Sequence, residues 1–249
     1  MAVEEHLLIG IHAVAAALKS APARISHLLI TAGAKNPRVQ ELAQQARELN
    51  IRVEQKSRAA LDRHSRGERH QDVMAAFTAG NIWPEQELDR LLAAISGIPL
   101  ILVLDGVQDP HNLGACLRTA EAVGVHFVIL PKDRSASLTA VARRAASGAA
   151  EVLDIVSVTN LARVLRKLKE KGVWLAAATE QAEYDLHATD LRGPLALVMG
   201  SEGQGLRRLT AELCDFHVRI PMYGTVRSLN VSVATAICLY EILRQRSAE

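Results

Sequence analysis

The sequence predicts an α/β protein in which a C-terminal parallel sheet, covered by helices, follows a small α/β domain. Three observations predict it. From residue 100 onward, the apolar runs LILVLD, HFVIL, VWLAAA, LALVMG and FHVRIP alternate with helical segments. Short continuous apolar runs between helices mark strands buried on both faces, as in parallel sheets. The first 78 residues also alternate helix and strand, on a smaller scale. Finally, 49% hydrophobic and 22% charged residues over 249 positions suffice for a substantial core.

The chain starts MAVEEHLLIGIHAVAAAL, with acids where a signal peptide carries positive charge and with His12 inside the apolar run. It therefore reads as a folded N-terminus. GIHAVAAALKS is helical, with apolar positions three and four apart, and SHLLIT is a short buried strand. NPRVQELAQQARELN is a helix: Asn36 caps it, Pro37 suits its first turn, and Leu42, Ala46 and Leu49 share a face. IRVEQ and DVMAAF are strands. Residues 52–70 gather Arg52, Lys56, Arg58, Arg63, Arg66, Arg69, His64 and His70. With Glu54, Asp62 and Glu68 interleaved, this stretch is either a solvated helix and loop or an electrostatic footprint for nucleic acid. Net charge, only +2, does not choose between them.

Residues 79–97 read as a connector, broken at Gly80, Pro84 and Gly97, so a domain boundary falls between residues 1–78 and 98–249. In open parallel sheets ligands gather beyond the carboxyl ends of the strands. There the chain places GVQDPHNLGACLRTA after ILVLD, SEGQGLRR after LALVMG, and MYGTVRSLNVSVATAICLYE after HVRIP. On the helix of the first loop, Leu113, Cys116, Leu117, Ala120 and Val123 cluster, while Arg118 points away among the small residues Gly114, Ala115 and Ala122. That suits an arginine reaching a ligand or another subunit, or simply an exposed one. The last helix begins near Ser228, read as a cap, with Asn230 in its first turn.

Several chemistries are disfavoured. Residues 200–205 read G-S-E-G-Q-G, not the G-x-G-x-x-G of a dinucleotide site, and no phosphate-binding G-x-x-x-x-G-K-[ST] is present. No G-x-S-x-G elbow supports a serine hydrolase. His111 and Cys116 do not complete a zinc set, and Cys214 and Cys238 form no CxxC, so no metal is expected. Three widely spaced cysteines point to a reducing compartment, and no run approaches the ~20 apolar residues of a membrane span. A cytoplasmic protein without membrane contact is expected.

NLGACLRTA, LVMGSEGQGL and IPMYGTVRSLNVSVATAICLYE, in this order, resemble motifs one, two and three of the SPOUT-class, TrmH-type RNA ribose methyltransferases. GIHAV, LDGVQDPHNLGACLR, PKDRSA, SGAAE, VTNLAR and RIPM are similar to the bacterial branch acting on a guanosine of 23S ribosomal RNA. The resemblance implies an α/β fold whose C-terminal parallel sheet ends in a deep trefoil knot, and an L30e/L7Ae-like RNA-binding domain over residues 1–78. It implies S-adenosyl-L-methionine (SAM) as cofactor, a homodimer built on the motif-one and C-terminal helices, and 23S ribosomal RNA as partner. Gly200, Ile220 and Leu229 would contact the cofactor. Asn112, Arg118, Glu202, Ser228 and Asn230 fall on the polar positions of the motifs, and Arg227 lies outside them. The same motifs would serve transfer RNA, or a noncatalytic RNA-binding protein of the same fold. Arg118 is the residue expected to carry the chemistry, either by accepting the ribose proton or by staying charged. In the second case Glu202 or solvent would take the proton.

Overall fold

The structure is a computed structural model of all 249 residues. It describes residues 5–65, 67–78, 82–180, 182–226 and 228–247. The first acid of the N-terminus (Glu4), Arg66, Gly80 and Arg227 lie outside the described residues. The chain divides into two compact units. One is Met1–Gly80 with Ser147–Val152; the other is Asn81–Ala146 with Leu153–Glu249.

The first unit is a four-stranded sheet with helices. Its elements are β1 (Glu5–Ile9), α1 (Ile11–Ser20), β2 (Ile25–Thr31), α2 (Pro37–Glu48), β3 (Arg52–Lys56), α3 (Arg58–His64) and β4 (Val73–Thr78). The strand order is β1-β4-β2-β3, with only the β2–β3 pair parallel. Asn36 caps α2 as expected, accepting from the Arg38 amide at 3.1 Å. Leu42 and Ala46 are buried, but Leu49 is 45% exposed. It sits one residue past the helix, where the chain turns through Asn50 at φ 58, so it leaves the face expected for it.

The second unit is an eight-stranded, all-parallel sheet. It opens with β5 (Ile82–Pro84) and α4 (Leu88–Ala93), inside the segment read as a connector. β5 pairs with the edge of the sheet, and the Trp83 indole N–H donates to Asp154 Oδ1 at 2.9 Å. Then follow β6 (Leu100–Asp105), α5 (Pro110–Ala122), β7 (Phe127–Pro131) and α6 (Ala140–Ala146). α7 (Ala149–Val152) belongs to the first unit. Next come β8 (Asp154–Val158), α8 (Leu161–Glu170), β9 (Trp174–Ala178), β10 (Tyr184–Asp185), β11 (Leu195–Gly200), α9 (Arg208–Leu213), β12 (Phe216–Arg219) and α10 (Val231–Ser247). The five apolar runs became β6, β7, β9, β11 and β12. β5, β8 and β10 carried no such run.

The strand order is β10-β12-β9-β11-β6-β7-β8-β5. The chain runs outward from β6 through β7 to β8, then returns to the other side, and β11 enters between β9 and β6. This reversal makes β6 and β11 the switch point, where a crevice opens beyond the strand ends. All six residues of β6 are buried, as a central strand covered on both faces requires. One apolar layer joins Ile101, Val103, Phe127, Ile129 and Val198 to α8 through Val164 and Leu165. On α5, Leu113, Cys116, Leu117 and Ala120 are fully buried.

Candidate active site

β6 ends in Asp105, whose Cα partner across the parallel pair is Gly200, the last residue of β11. The loops that follow these two strands therefore leave the sheet side by side. The first runs into α5, capped by Asp109, whose side chain accepts from the His111 amide at 2.8 Å, with Pro110 at the first position. This start turns Asn112 inward, to 8% exposure.

The second loop is a tight cradle. Ser201 and Gly205 exchange backbone hydrogen bonds at 3.0 Å in both directions, and Gly203 and Gly205 adopt φ of 79° and 66°. Gly200 is obligatory: a Cβ there would lie 2.3 Å from the Gly205 carbonyl carbon and 2.4 Å from the Leu206 nitrogen. The turn projects Glu202 toward α5 and the start of α10.

There the polar residues of the three motifs meet. Glu202 Oε1 accepts from Asn112 Nδ2 at 3.0 Å and from Asn230 Nδ2 at 2.6 Å, with the Val231 amide at 3.5 Å. Asn230 Nδ2 also donates to Asn112 Oδ1 at 3.0 Å. One carboxylate oxygen thus ties together segments more than a hundred residues apart. A charge-assisted network of this kind is stiffer than neutral pairs would be.

Asn230 serves a second purpose that the sequence reading gave to Ser228. α10 begins at Val231, and Asn230 Oδ1 accepts from the Ser232 amide at 2.9 Å and the Ser232 hydroxyl at 2.6 Å. Asn230 is therefore the cap, and Ser228 lies exposed two residues before it. The reason is competition: Asn is as good a cap as Ser, and only Asn also offers an N–H₂ to Glu202.

Arg118 is exposed on α5, as the wheel predicts, and makes no hydrogen bond or ion pair among the described residues. Its small neighbours do not all leave it room. Gly114 is buried because α6 packs on it; a Cβ there would lie 2.3 Å from the Ala142 carbonyl oxygen. Gly200 and Ile220 follow from the ends of β11 and β12, while Leu229 immediately precedes the Asn230 cap; Gly200, Ile220 and Leu229 are half-buried.

Two further residues support the site, neither of them among the polar motif positions read from the sequence. Asp105 has a fully buried side chain; its Oδ2 accepts from the Arg207 amide at 3.2 Å, and Arg207 Nε lies 3.3 Å from its Oδ1. It pins the far end of the glycine loop to the motif-one strand. A single aspartate closing an apolar strand is the signal that marks it. Thr235 donates to the Val231 carbonyl at 2.7 Å and meets the Cys116 sulfur at 3.6 Å, joining α10 to α5. Burial pushes the Cys116 thiol up to about 11, so it packs rather than reacts. Among the described residues no cluster of His, Cys, Asp and Glu could hold a metal ion, and no helix is long and apolar enough to cross a membrane.

Residues 99–240, which hold this whole constellation, match the model of the SpoU rRNA methylase family. The chain belongs to the SpoU rRNA methylase family. Residues 7–83 match the RNA 2'-O ribose methyltransferase substrate-binding model. Among relatives, the 23S rRNA (guanosine-2'-O-)-methyltransferase RlmB of Pseudomonas aeruginosa is 52% identical over 238 residues, covering 96% of each chain. Among solved structures, an RNA 2'-O ribose methyltransferase superposes with a TM-score of 0.74 at 30% identity, over 98% of this chain and 90% of that one. An AdoMet-bound rRNA methyltransferase from Sinorhizobium meliloti gives 0.71 at 25% identity, over 96% and 87%. Asn112, Glu202 and Asn230 all lie within the matched residues 99–240.

Proposed function

We propose that this protein transfers a methyl group from SAM to the ribose 2'-hydroxyl of a guanosine in 23S ribosomal RNA. The observation that carries the reading is the Asn112–Glu202–Asn230 network at the ends of β6 and β11, in a SpoU chain with close relatives of that activity.

The residues present fit the cofactor. The cradle at Gly200 to Gly205 brings backbone close enough to exclude any side chain, which suits recognition through backbone groups. Gly200, Ile220 and Leu229 would hold SAM there. Bound SAM supplies an electrophilic methyl on a sulfonium.

The chain's own groups then have separate tasks. For the 2'-oxygen to take up that methyl, the hydroxyl would have to be held in line with it and lose its proton. Asn112 and Asn230 do not titrate near neutrality and act by orientation. Their positions are set by Glu202, and alignment alone is worth several orders of magnitude in rate. Arg118 is solvent-exposed in this chain, which supports a guanidinium that holds a substrate phosphate and stabilises the developing alkoxide. The proton then passes to Glu202 Oε2 or to solvent. Ser228, exposed in the segment between β12 and α10, would complete the set of groups presented to the ribose.

The same reading includes a homodimer, a trefoil knot formed around the inserted strand, a cytoplasmic location and an RNA-binding role for the first unit. α10 supports the dimer: Val233 and Tyr240 stay about half exposed on one stripe. The deciding experiment measures labelled methyl transfer from SAM to 23S rRNA and maps the product. A ribose-methylated guanosine that disappears from cells lacking this protein is the expected result; transfer to transfer RNA alone would overturn the substrate.

A further inference from the structure

The sheet of the first unit is covered unequally. Leu8, Leu28, Ile30, Val73, Ala75 and Phe77 form one closed core with α1 and α2. The register puts Leu7, His27, Leu29, Glu54, Lys56 and Ala76 on the opposite face. That face is met by α3, seven residues long, whose Leu61 packs with Leu29 and Met74. Beside α3 the face stays open as a cleft of about 390 Å³, lined by Leu7, Leu29 and Ala76 together with His27, Glu54, Lys56 and His64.

The polar lining is ordered. His64 Nδ1 donates to the Ala60 carbonyl at 2.6 Å, which leaves Nε2 as the free edge of the ring. Ser26 holds the His27 ring at 3.0 Å. Glu54 lies between Arg52 and Lys56, at 3.0 and 2.9 Å, and stays ionised there. On α3 and in the stretch that follows it, Arg58, Arg63 and Arg69 are exposed and make no ion pair among the described residues. An apolar floor, imidazoles at the sides and unspent positive charge outside suit a planar amphipathic group on an anionic chain. Single-stranded RNA offers that chemistry: a splayed-out base to stack, and phosphates on either side. An apolar helix would take the Glu54–Lys56 ion pair out of water with no further polar group to meet it, whereas a base edge carries both donors and acceptors.

We propose that this cleft receives one unpaired nucleobase of the substrate RNA, stacked beside His27 and His64, with Lys56 and the flanking arginines against the adjoining phosphates. The proposal rests on the rRNA methyltransferase reading above. The test compares full-length wild type with a His27→Ala/His64→Ala double variant and with Lys56→Ala, using a 23S rRNA transcript and an assembled ribosomal precursor. The expected result is RNA affinity weakened about tenfold in the double variant, the stacking worth of one base, with the loss on KM, cofactor affinity retained, and a shallower salt dependence in Lys56→Ala. Unchanged transcript affinity in both variants, while wild type binds and methylates, overturns the cleft and leaves the methyltransferase reading standing. Wild type that neither binds nor methylates rRNA overturns both. Unchanged transcript affinity with loss of methylation only on the precursor assigns the cleft to a protein partner and also overturns the proposal.

Discussion

Glu202 shows how much a single atom can organise. Its Oε1 faces two asparagine amides and the first backbone N–H of α10, so its removal disconnects the three motifs at once. Asn230→Ala should reduce the single-turnover methylation rate at least about tenfold and also cost about 1 kcal/mol, because the same residue caps α10. Rate and denaturant midpoint measured together check both effects. Arg118→Ala should lower the rate about a hundredfold, with cofactor affinity within twofold of wild type. A nearly normal single-turnover rate would remove Arg118 from the chemistry. A third residue governs stability rather than catalysis. Glu241 is buried, and hydrogen bonds from Arg244 above all, then Gln245 and His187, hold its carboxyl down to about 2, below the ordinary 4.5. A depressed carboxylate contributes stability that is complete above the unfolded value and is lost as pH falls through the folded one. Glu241→Gln should therefore lower the unfolding midpoint at pH 7, and the gap to wild type should close between about pH 5 and pH 2. A gap constant over that window would contradict the assignment.

At the scale of elements, close approach of backbones decides which residues are replaceable. Gly114→Ala would drive a Cβ into the Ala142 carbonyl and Ala145, and should cost about 2–3 kcal/mol by separating α5 from α6. Gly200→Ala would push the glycine loop away from β11, and calorimetric titration should show SAM affinity reduced at least about tenfold. Much of this architecture is written locally. Continuous apolar runs announce β6, β7, β9, β11 and β12, and the polar residues that interrupt the following loops announce the site. What was not legible has a common cause. β5 is three residues long, β10 two, and β8 carries Asp154 and Ser157, so none shows a strand period strong enough to read. The α10 cap was misplaced by two residues because Ser228 and Asn230 are equally good caps locally, and only a partner from motif two chooses between them. The space around Arg118 was misjudged for the same reason, since α6 is invisible to a wheel drawn on α5 alone.

For the whole molecule, the two units have separate cores, and the chain of the second lends Ser147–Val152 to the first. Deleting residues 1–78 should retain cofactor binding, weaken 23S rRNA binding and flatten its salt dependence, because the basic stretch of residues 52–70 goes with them. The truncated chain should also be less soluble, since Ala149 and Ala150 lose the layer that buries them. RNA affinity equal to that of the full chain, in a truncation that still binds cofactor, would assign substrate recognition to the second unit.

The insertion of β11 between β9 and β6 also bears on how the protein comes into being. The strand at the middle of the sheet leaves the ribosome about ninety residues after its neighbour β6. Until then β6 and β9 each present an unpaired apolar edge, an invitation to aggregate. Pairings so distant along the chain are slow to form. The glycine cradle begins where β11 ends, so a chain whose β11 has not entered the sheet lacks the cradle proposed to hold the methyl donor. A nascent or misassembled chain is thereby silent as an enzyme, and refolding followed by cofactor binding should report the entry of this one strand.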